Sequence, residues 1–165
     1  MVTHDAEEAM FMADKIVVMN DGRVLQVGSP DELYFQPVNS FVAGVFGELN
    51  KLNGLVRENK AITPLVDFPV EEFASGTEVE VVIRPEALCL LPLEGSNIFF
   101  EASVVESRLL GRMSYIHLSS KYSGRDGDNI HLHCKMPGRV LPSSGEMVRV
   151  YIDVEQTFVF ENNKQ

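Results

Sequence analysis

His4 is the side chain with the clearest potential for catalysis, because of the residues that follow it. Asp5 stands directly before a run of Ala, Glu and Met residues, and Glu8 comes three positions later. That spacing is typical of a helix start, where cap side chains bind free amide hydrogens of the first turn. A neutral imidazole can donate one hydrogen bond and accept another. His4 is therefore a candidate for positioning two polar groups, although many histidines near helix starts do no chemistry.

His131, His133 and Cys134 are the residues whose types could bind a metal ion. In a strand, His131 and His133 point to one side and Cys134 points to the other, since successive side chains alternate. Three ligands cannot converge from one strand in that way, and no Cys-x-x-Cys motif or second histidine pair supplies the others. We therefore interpret these histidines as a solvated strand face and expect no metal site.

Three further groups are interpreted as structural. Pro85 favours the end of a strand, and Arg84 and Glu86 can pair across the bend. A calcium loop needs twelve residues that end in Glu, and the acidic turn near residue 126 lacks that spacing. The aromatic side chains have no basic residues interleaved with them, so we expect them in the core rather than on a platform that stacks nucleobases. The turn residues are Asp126, Asp128 and Asn129, and the aromatic residues are Phe99, Phe100, Phe158 and Phe160.

Short helices and one hairpin are predicted to hold His4 and its neighbours. A helix is expected from about Ala6 to Ala13, with Ala9, Met10 and Ala13 toward a core. Two apolar runs on either side of Asn-Asp-Gly predict a β-hairpin over residues 16–27. Ser29, followed by a proline, predicts a second helix, and a third is expected to open at residue 39 or 40.

From about residue 50 the pattern changes to short strands separated by turn residues. Alternating apolar residues, as in 78–83 and 147–152, predict strands with one buried face. Many short antiparallel strands without a long helix favour a small β-barrel, which closes its own edges. Strands are expected at 52–56, 61–66, 78–83, 87–91, 98–106, 113–118, 130–136, 147–154 and 157–160, with an exposed hairpin loop at 119–129.

Composition favours an intracellular protein with a real core. Hydrophobic residues make up 45% of the 165 residues, and no apolar run approaches the roughly twenty residues of a membrane span. No secretory signal is recognised, and the two cysteines are expected to be buried, reduced thiols. The net charge is −10, from 14 basic and 24 acidic residues, so nucleic acid is not expected as a partner.

Two segments carry a family resemblance. VTHDAEEA, with ADKIVVMNDGRVLQVGSPDELYFQP after it, resembles the switch-histidine segment and the end of the ATPase domain in ATP-binding cassette (ABC) ATPases. The resemblance implies that His4 contacts the γ-phosphate of ATP and helps to position the attacking water. The Gly-rich phosphate loop ending in Lys-Ser/Thr that such an ATPase needs does not occur in the sequence.

The second part resembles the TOBE domain, an oligonucleotide-binding-like (OB-like) barrel appended to many importer ATPases. The motifs are IRPEAL at 83–88, VVESRLLGRMSYIHL at 104–118 and PGRVLPSSGEMVRVYIDVEQTFVF at 137–160. In that family the module does no ATP chemistry, packs against its counterpart on a second ATPase subunit, and in some members receives regulators. The expected fold is thus a mainly β, OB-like (TOBE) barrel at 50–165, preceded by an incomplete α/β ATPase tail at 1–49.

The resemblance implies a function for an intact parent subunit, namely ATP hydrolysis coupled to solute import. The pattern looks closest to ferric iron importers, followed by polyamine and sugar importers. We expect no enzymatic activity and no cofactor site in this chain alone, with ATP and magnesium bound by the parent subunit. Two alternatives stay open: a stand-alone TOBE-like protein that binds an oxyanion such as molybdate, and a regulatory adaptor that lacks the ATPase.

The same resemblance implies partners and a location. The partners would be a second copy of the ATPase subunit and membrane-embedded permease subunits. The intact complex would hold the subunit in the cytoplasm, against the inner face of the cell membrane. In that setting the barrel is expected to serve dimerisation or regulation.

Overall fold

The computed structural model describes residues 5–93, 98–121 and 129–162. The chain divides into two compact units, Met1–Leu49 and Asn50–Gln165. Unit 1 contains the three α-helices of the described residues and a two-stranded sheet, whereas unit 2 contains ten strands in two sheets. The prediction of a mainly β chain with a short α/β part before it is confirmed. No helix among the described residues is long and apolar enough to cross a membrane.

Unit 1 is built from short elements whose ends are marked by the sequence. Its helices are α1 (Ala6–Met12), α2 (Pro30–Phe35) and α3 (Ser40–Val45), and its strands are β1 (Ile16–Asn20) and β2 (Arg23–Gly28). The Asp5 side chain accepts a hydrogen bond from the Glu8 amide at 3.0 Å, as the spacing predicted. Ser29 and Glu32 form a reciprocal capping box on α2, and Asn39 caps α3.

The turn between β1 and β2 explains why this hairpin forms. Asp21 and Gly22 both have positive φ, 48° and 73°, between the paired residues Asn20 and Arg23. Two central residues with positive φ match the right-handed twist of the flanking strands, and Asp-Gly is a favoured pair for that turn. The sequence thus encodes the hairpin locally.

The core of unit 1 is small. Val18, Leu33 and Val42 are its buried apolar centre, and Ile16, Leu25 and Phe46 pack against them. Helix α1 has no buried residue. The predicted inward face of Ala9, Met10 and Ala13 is only half-buried, so that expectation is not met in full.

Unit 2 consists of two antiparallel five-stranded sheets. The first has the order β12-β6-β3-β4-β5 and the second the order β10-β9-β8-β11-β7. Their strands are β3 (Asn50–Arg57), β4 (Lys60–Ile62), β5 (Asp67–Pro69), β6 (Glu78–Ile83), β7 (Leu88–Cys89), β8 (Phe99–Leu110), β9 (Met113–Lys121), β10 (Asn129–Pro137), β11 (Met147–Ile152) and β12 (Thr157–Glu161). Short 3₁₀ turns lie at Pro85–Ala87 and Val154–Gln156.

The inner faces of both sheets share one hydrophobic core. Val79, Val81 and Ile83 of β6 enter it from the first sheet, and Ile116 and Leu118 of β9 enter it from the second. This is the alternation that the sequence predicted for strands with one buried face. The outer face of the second sheet is left to polar, aromatic and imidazole side chains, and it carries the candidate site.

Candidate functional site

His4, the predicted catalytic residue, lies outside the described residues, so its role stays a prediction. What the structure describes is the segment that follows it, where Asp5 caps α1. A cleft of about 730 Å³ in unit 1 is lined in part by Asp5, Glu7, Met10 and Phe46. Among the described residues, its lining includes two carboxylates and no lysine or arginine.

A cluster of three histidines lies on the outer face of strands β9 and β10. His117 of β9 is directly opposite His133 of β10, and His131 lies two residues before His133 on the same side. The ring centroids of His117 and His131 are 5.0 Å apart, and those of His117 and His133 are 5.1 Å apart. We call His117, His131 and His133 the histidine cluster.

A direct hydrogen bond joins two members of this cluster. His117 Nε2 and His131 Nδ1 are 2.9 Å apart at the protein surface. Two neutral rings make such a bond when one nitrogen carries the hydrogen and the other offers its lone pair. Partial burial lowers the pKa of His117, with further lowering from His133 and His131 and an opposing effect of Glu106. The ring of His117 thus stays neutral to a lower pH than an ordinary histidine does.

Neighbouring strands hold this cluster in place. The Asn50 side chain of β3 donates to the His133 carbonyl at 2.8 Å and accepts from the His133 amide at 2.7 Å. Tyr115 of β9 also contacts His133, and the centroids of the two rings are 5.2 Å apart. Both backbone groups of His133 are therefore satisfied by one amide side chain, which fixes this part of β10.

Cys134 does not belong to the histidine cluster. It is fully buried, and its thiol donates a hydrogen bond to the Leu88 carbonyl at 3.0 Å. The predicted alternation of His131 and His133 against Cys134 is thus confirmed. Both cysteines are free thiols, but Cys89 is half-buried rather than buried. Among the described residues, no group of three or more His, Cys, Asp or Glu side chains is arranged to hold a metal ion.

The other groups singled out in the sequence have separate surroundings. The Glu86 carboxylate lies 3.5 Å from Lys135 Nζ, while Arg84 is 1% exposed and its guanidinium carbon lies 5.6 Å from the centre of the Phe158 ring. Asp126 and Asp128 lie outside the described residues, and Asn129 begins β10 opposite Lys121.

The expectation that four phenylalanines are core residues is wrong for three of them. Phe100 is buried, but Phe99 is 44% exposed and lies under Arg149, whose guanidinium carbon is 4.7 Å from the centre of the ring. Phe158 and Phe160 are half-buried and stack with centroids 6.3 Å apart. A basic residue on the neighbouring strand was not visible from spacing within a single strand, which is why the prediction failed.

His117 is the member of the site that sequence reasoning missed. Its strand was predicted, but the residue opposite it depends on the register of β9 and β10. The usable signal was alternation: His117 has the same parity as Tyr115 and Ser119, which lie on the outer face with it. A one-residue change in register would move every side chain to the other face, so alternation alone did not identify its partners.

Comparison with known proteins identifies the relatives of the chain. No family model matches it. The putrescine transport ATP-binding protein PotG of Escherichia coli (strain K12) is 33% identical over 96% of this chain and 45% of its own length. The spermidine/putrescine import ATP-binding protein PotA of Nitratidesulfovibrio vulgaris is 46% identical over 53% of this chain and 26% of its own length.

Two further comparisons complete these findings. The sulfate/thiosulfate import ATP-binding protein CysA 1 of Chromobacterium violaceum is 37% identical over 73% of this chain and 33% of its own length. Among solved structures, the cytoplasmic molybdate-binding protein ModG aligns with 67% of this chain and 94% of its own, with 10% identity and a TM-score of 0.48.

The chain spans less than half the length of each of these three curated relatives. The match to PotG covers 96% of the chain and so includes residues of both units. The chain is therefore homologous to part of the ATP-binding subunits of ABC importers.

Proposed function

We propose that this chain is the C-terminal part of the ATP-binding subunit of an ABC importer, and that the intact subunit couples ATP hydrolysis to solute uptake. The observation that carries the proposal is the match to PotG, which runs through both units at 33% identity. Unit 1 is proposed to complete an ATPase domain, and unit 2 to be the TOBE-type barrel. Unit 2 would contribute dimerisation or regulation rather than ATP chemistry.

The surface of unit 1 supports this proposal. Phe11 is 92% exposed and Met12 is 65% exposed on the short helix α1. More than half of the surface of Val17, Met19, Val24 and Val27 in the hairpin is also exposed. A seven-residue helix and an isolated hairpin are too short to be stable alone, so these apolar side chains fit a segment that packs on a larger domain.

His4 is the residue proposed to act in ATP hydrolysis. In the intact subunit its imidazole would hydrogen-bond the γ-phosphate and orient the attacking water. ATP and magnesium would be held by other parts of that subunit, and we assign no cofactor ligand or enzymatic activity to this chain alone. The proposed partners are a second ATP-binding subunit and membrane-embedded permease subunits, with the subunit in the cytoplasm against the inner face of the membrane.

The proposed cargo class is a polyamine. PotG and PotA are named for putrescine and spermidine, and CysA for sulfate and thiosulfate. The expectation of ferric iron gains no support from these relatives. We therefore prefer a polyamine importer to an iron importer.

Uptake by cells tests this proposal. The gene that encodes the chain is disrupted, and uptake of labelled putrescine, sulfate and ferric iron is compared before and after. We expect putrescine uptake to fall to background and to be restored by a plasmid copy, while a His4→Ala copy restores none. A selective loss of sulfate or iron uptake would contradict the polyamine assignment, and unchanged uptake of all three would reject the importer.

Molybdate titration separates this proposal from a stand-alone oxyanion-binding protein. Calorimetry of the chain with molybdate is expected to show no stoichiometric binding, with sulfate as the matched control anion. Micromolar molybdate binding that sulfate does not compete would favour the alternative. The same chain titrated with magnesium-ATP should also show no tight binding, because a single histidine cannot replace a phosphate loop, its lysine and a magnesium ligand.

A further inference from the structure

The histidine cluster offers two imidazole nitrogens at a spacing that suits metal coordination. Nitrogens bound to one ion at about 2.0 to 2.1 Å lie about 2.9 Å apart at a right angle and about 3.4 Å apart at a tetrahedral angle. His117 Nε2 and His131 Nδ1 are 2.9 Å apart. A hydrogen bond sets this separation, and it is close to the distance that two nitrogens bound to one ion would have.

The strands supply the rigidity that such a pair needs. His117 and His131 lie on adjacent, fully paired strands, diagonal to each other across the β9–β10 register. The Asn50 amide fixes the backbone of β10 at His133, two residues from His131. The backbone positions of the two ligands are therefore set before any ion binds, and an ion that bound both rings would replace the hydrogen bond between them.

The surroundings leave the other coordination positions to water. The His117–His131 contact is at the surface, and no third His, Cys, Asp or Glu side chain among the described residues completes a closed metal site. Glu106 is opposite His117 on β8, but its Oε1 accepts hydrogen bonds from Arg108 Nε at 2.8 Å and ion-pairs with Arg108 Nη2 at 2.7 Å. Two imidazoles with open positions bind copper(II) more tightly than zinc(II), as the general affinity order of divalent first-row metals predicts, and nickel(II) also suits imidazole ligands.

We propose that His117 and His131 form a two-imidazole binding site for copper(II) or nickel(II) on the outer face of strands β9 and β10. His133 is not a ligand in this assignment, because the close nitrogen–nitrogen contact of His117 is with His131. The site is open on its solvent side, so the ion would keep exchangeable water ligands. This site lies in unit 2 and is independent of the proposed ATPase role.

Isothermal titration with copper(II), nickel(II) and zinc(II) tests the site. Every protein in the series carries His4→Ala and no affinity tag, so that no histidine outside the cluster competes for the ion. His117→Gln and His131→Asn place an amide near the position of each ligand nitrogen, which preserves hydrogen bonding but removes the imidazole. His133→Gln is the matched control on the same face.

We expect one copper(II) ion per chain, and at least about tenfold weaker binding of zinc(II). His117→Gln and His131→Asn should each weaken copper binding at least about tenfold, while His133→Gln changes it less than about threefold. Electron paramagnetic resonance of the copper complex should show two imidazole nitrogens, reduced to one in either ligand variant. Copper binding that is unchanged in both ligand variants, or a loss in His133→Gln as large as theirs, would overturn the assignment. Circular dichroism confirms that each variant is folded.

Discussion

The amide of Asn50 joins the two sheets of unit 2. It is 5% exposed, and it is bonded to both the amide and the carbonyl of His133 at 2.7 and 2.8 Å. Strand β3 belongs to one sheet and β10 to the other. The Asn50 side chain thus provides hydrogen-bond partners for both backbone groups of His133. A buried backbone group without a partner costs free energy.

We therefore predict that Asn50→Ala lowers the free energy of unfolding of unit 2 by about 2 kcal/mol. Urea denaturation followed by circular dichroism measures this change. The control is Asn53→Ala on the same strand, since Asn53 is exposed and has only a 3.5 Å contact to Asn162. Equal effects of the two substitutions would show that the bonds of Asn50 to His133 contribute nothing special.

The buried thiol of Cys134 makes the stability of unit 2 depend on pH in the alkaline range. Burial raises its pKa from 9.0 to about 12, with smaller contributions from Cys89 and Glu86. Because the folded pKa lies above the unfolded one, the folded state holds its proton after the unfolded state has lost it. The protonated Cys134 thiol therefore contributes fully to the free energy of unfolding below pH 9, and this contribution is lost as the pH rises from 9 toward 12.

The predicted consequence is a steeper loss of stability at high pH in the native chain than in Cys134→Ala. Between pH 9 and pH 10.5 the difference should reach about 1 to 2 kcal/mol. Urea denaturation at half-unit pH steps measures both proteins. Cys134→Ala starts less stable because of its cavity, so the comparison is of slopes. Parallel slopes would contradict a neutral buried thiol.

At the scale of the elements, the turn between β3 and β4 contains one unfavourable residue, Glu58. Glu58 and Asn59 both have positive φ, 49° and 59°, between the paired residues Arg57 and Lys60. This is the same two-residue turn type as Asp21-Gly22, where both positions favour Asn or Gly. Glu58 has a side chain that makes this conformation costly.

We predict that replacing the pair by Asn-Gly, Glu58→Asn with Asn59→Gly, raises the free energy of unfolding of unit 2 by about 1 kcal/mol. The control is Glu72→Asn, an exposed glutamate outside the positive-φ positions. Thermal denaturation compares the three proteins. A decrease in the double variant would mean that the loss of the Glu58 side chain outweighs the relief of backbone strain.

Most strands could be predicted because the alternation of apolar and polar residues is visible within each strand. The errors lie where a side-chain hydrogen bond ends a strand or where pairing with another strand extends it. Strand 78–83 was predicted with its observed ends. The run 61–66 was predicted as one strand, but Thr63 Oγ1 donates to the Val66 carbonyl at 2.6 Å and accepts from its amide. This turn contains Pro64, follows the end of β4 at Ile62 and leads the chain into β5, which was not predicted as a separate strand.

Pairing between strands is what the sequence could not supply. Strand β8 was predicted to end at residue 106 but continues to Leu110, where a turn through Gly111 at φ 64° returns the chain into β9. Leu109 and Leu110 are 47% and 58% exposed. Two consecutive apolar residues also lack the alternation that predicts a strand with one buried face. The place of His117 beside His131 and His133 was missed for the same reason, since it depends on the β9–β10 register.

At the scale of the whole molecule, the two units differ in how much apolar surface they bury. Unit 2 has twenty buried apolar residues in one cluster that spans two five-stranded sheets. Among the described residues of unit 1, the buried cluster has three members, and Phe11, Met12 and Phe35 are more than half exposed. Burial of this kind is the main source of folding free energy, so unit 2 is expected to fold alone, whereas unit 1 is expected to need the rest of the ATPase domain to which we propose that it belongs.

Hydrogen exchange read residue by residue tests this account most directly. The chain by itself is compared with the same residues in the full-length ATP-binding subunit that we propose. Residues 6–45 should exchange quickly in the chain alone and slowly in the subunit, while the strands of residues 50–161 should be equally protected in both. If residues 6–45 are as well protected in the isolated chain as in the subunit, unit 1 is complete by itself, and its assignment as part of a larger ATPase domain is contradicted.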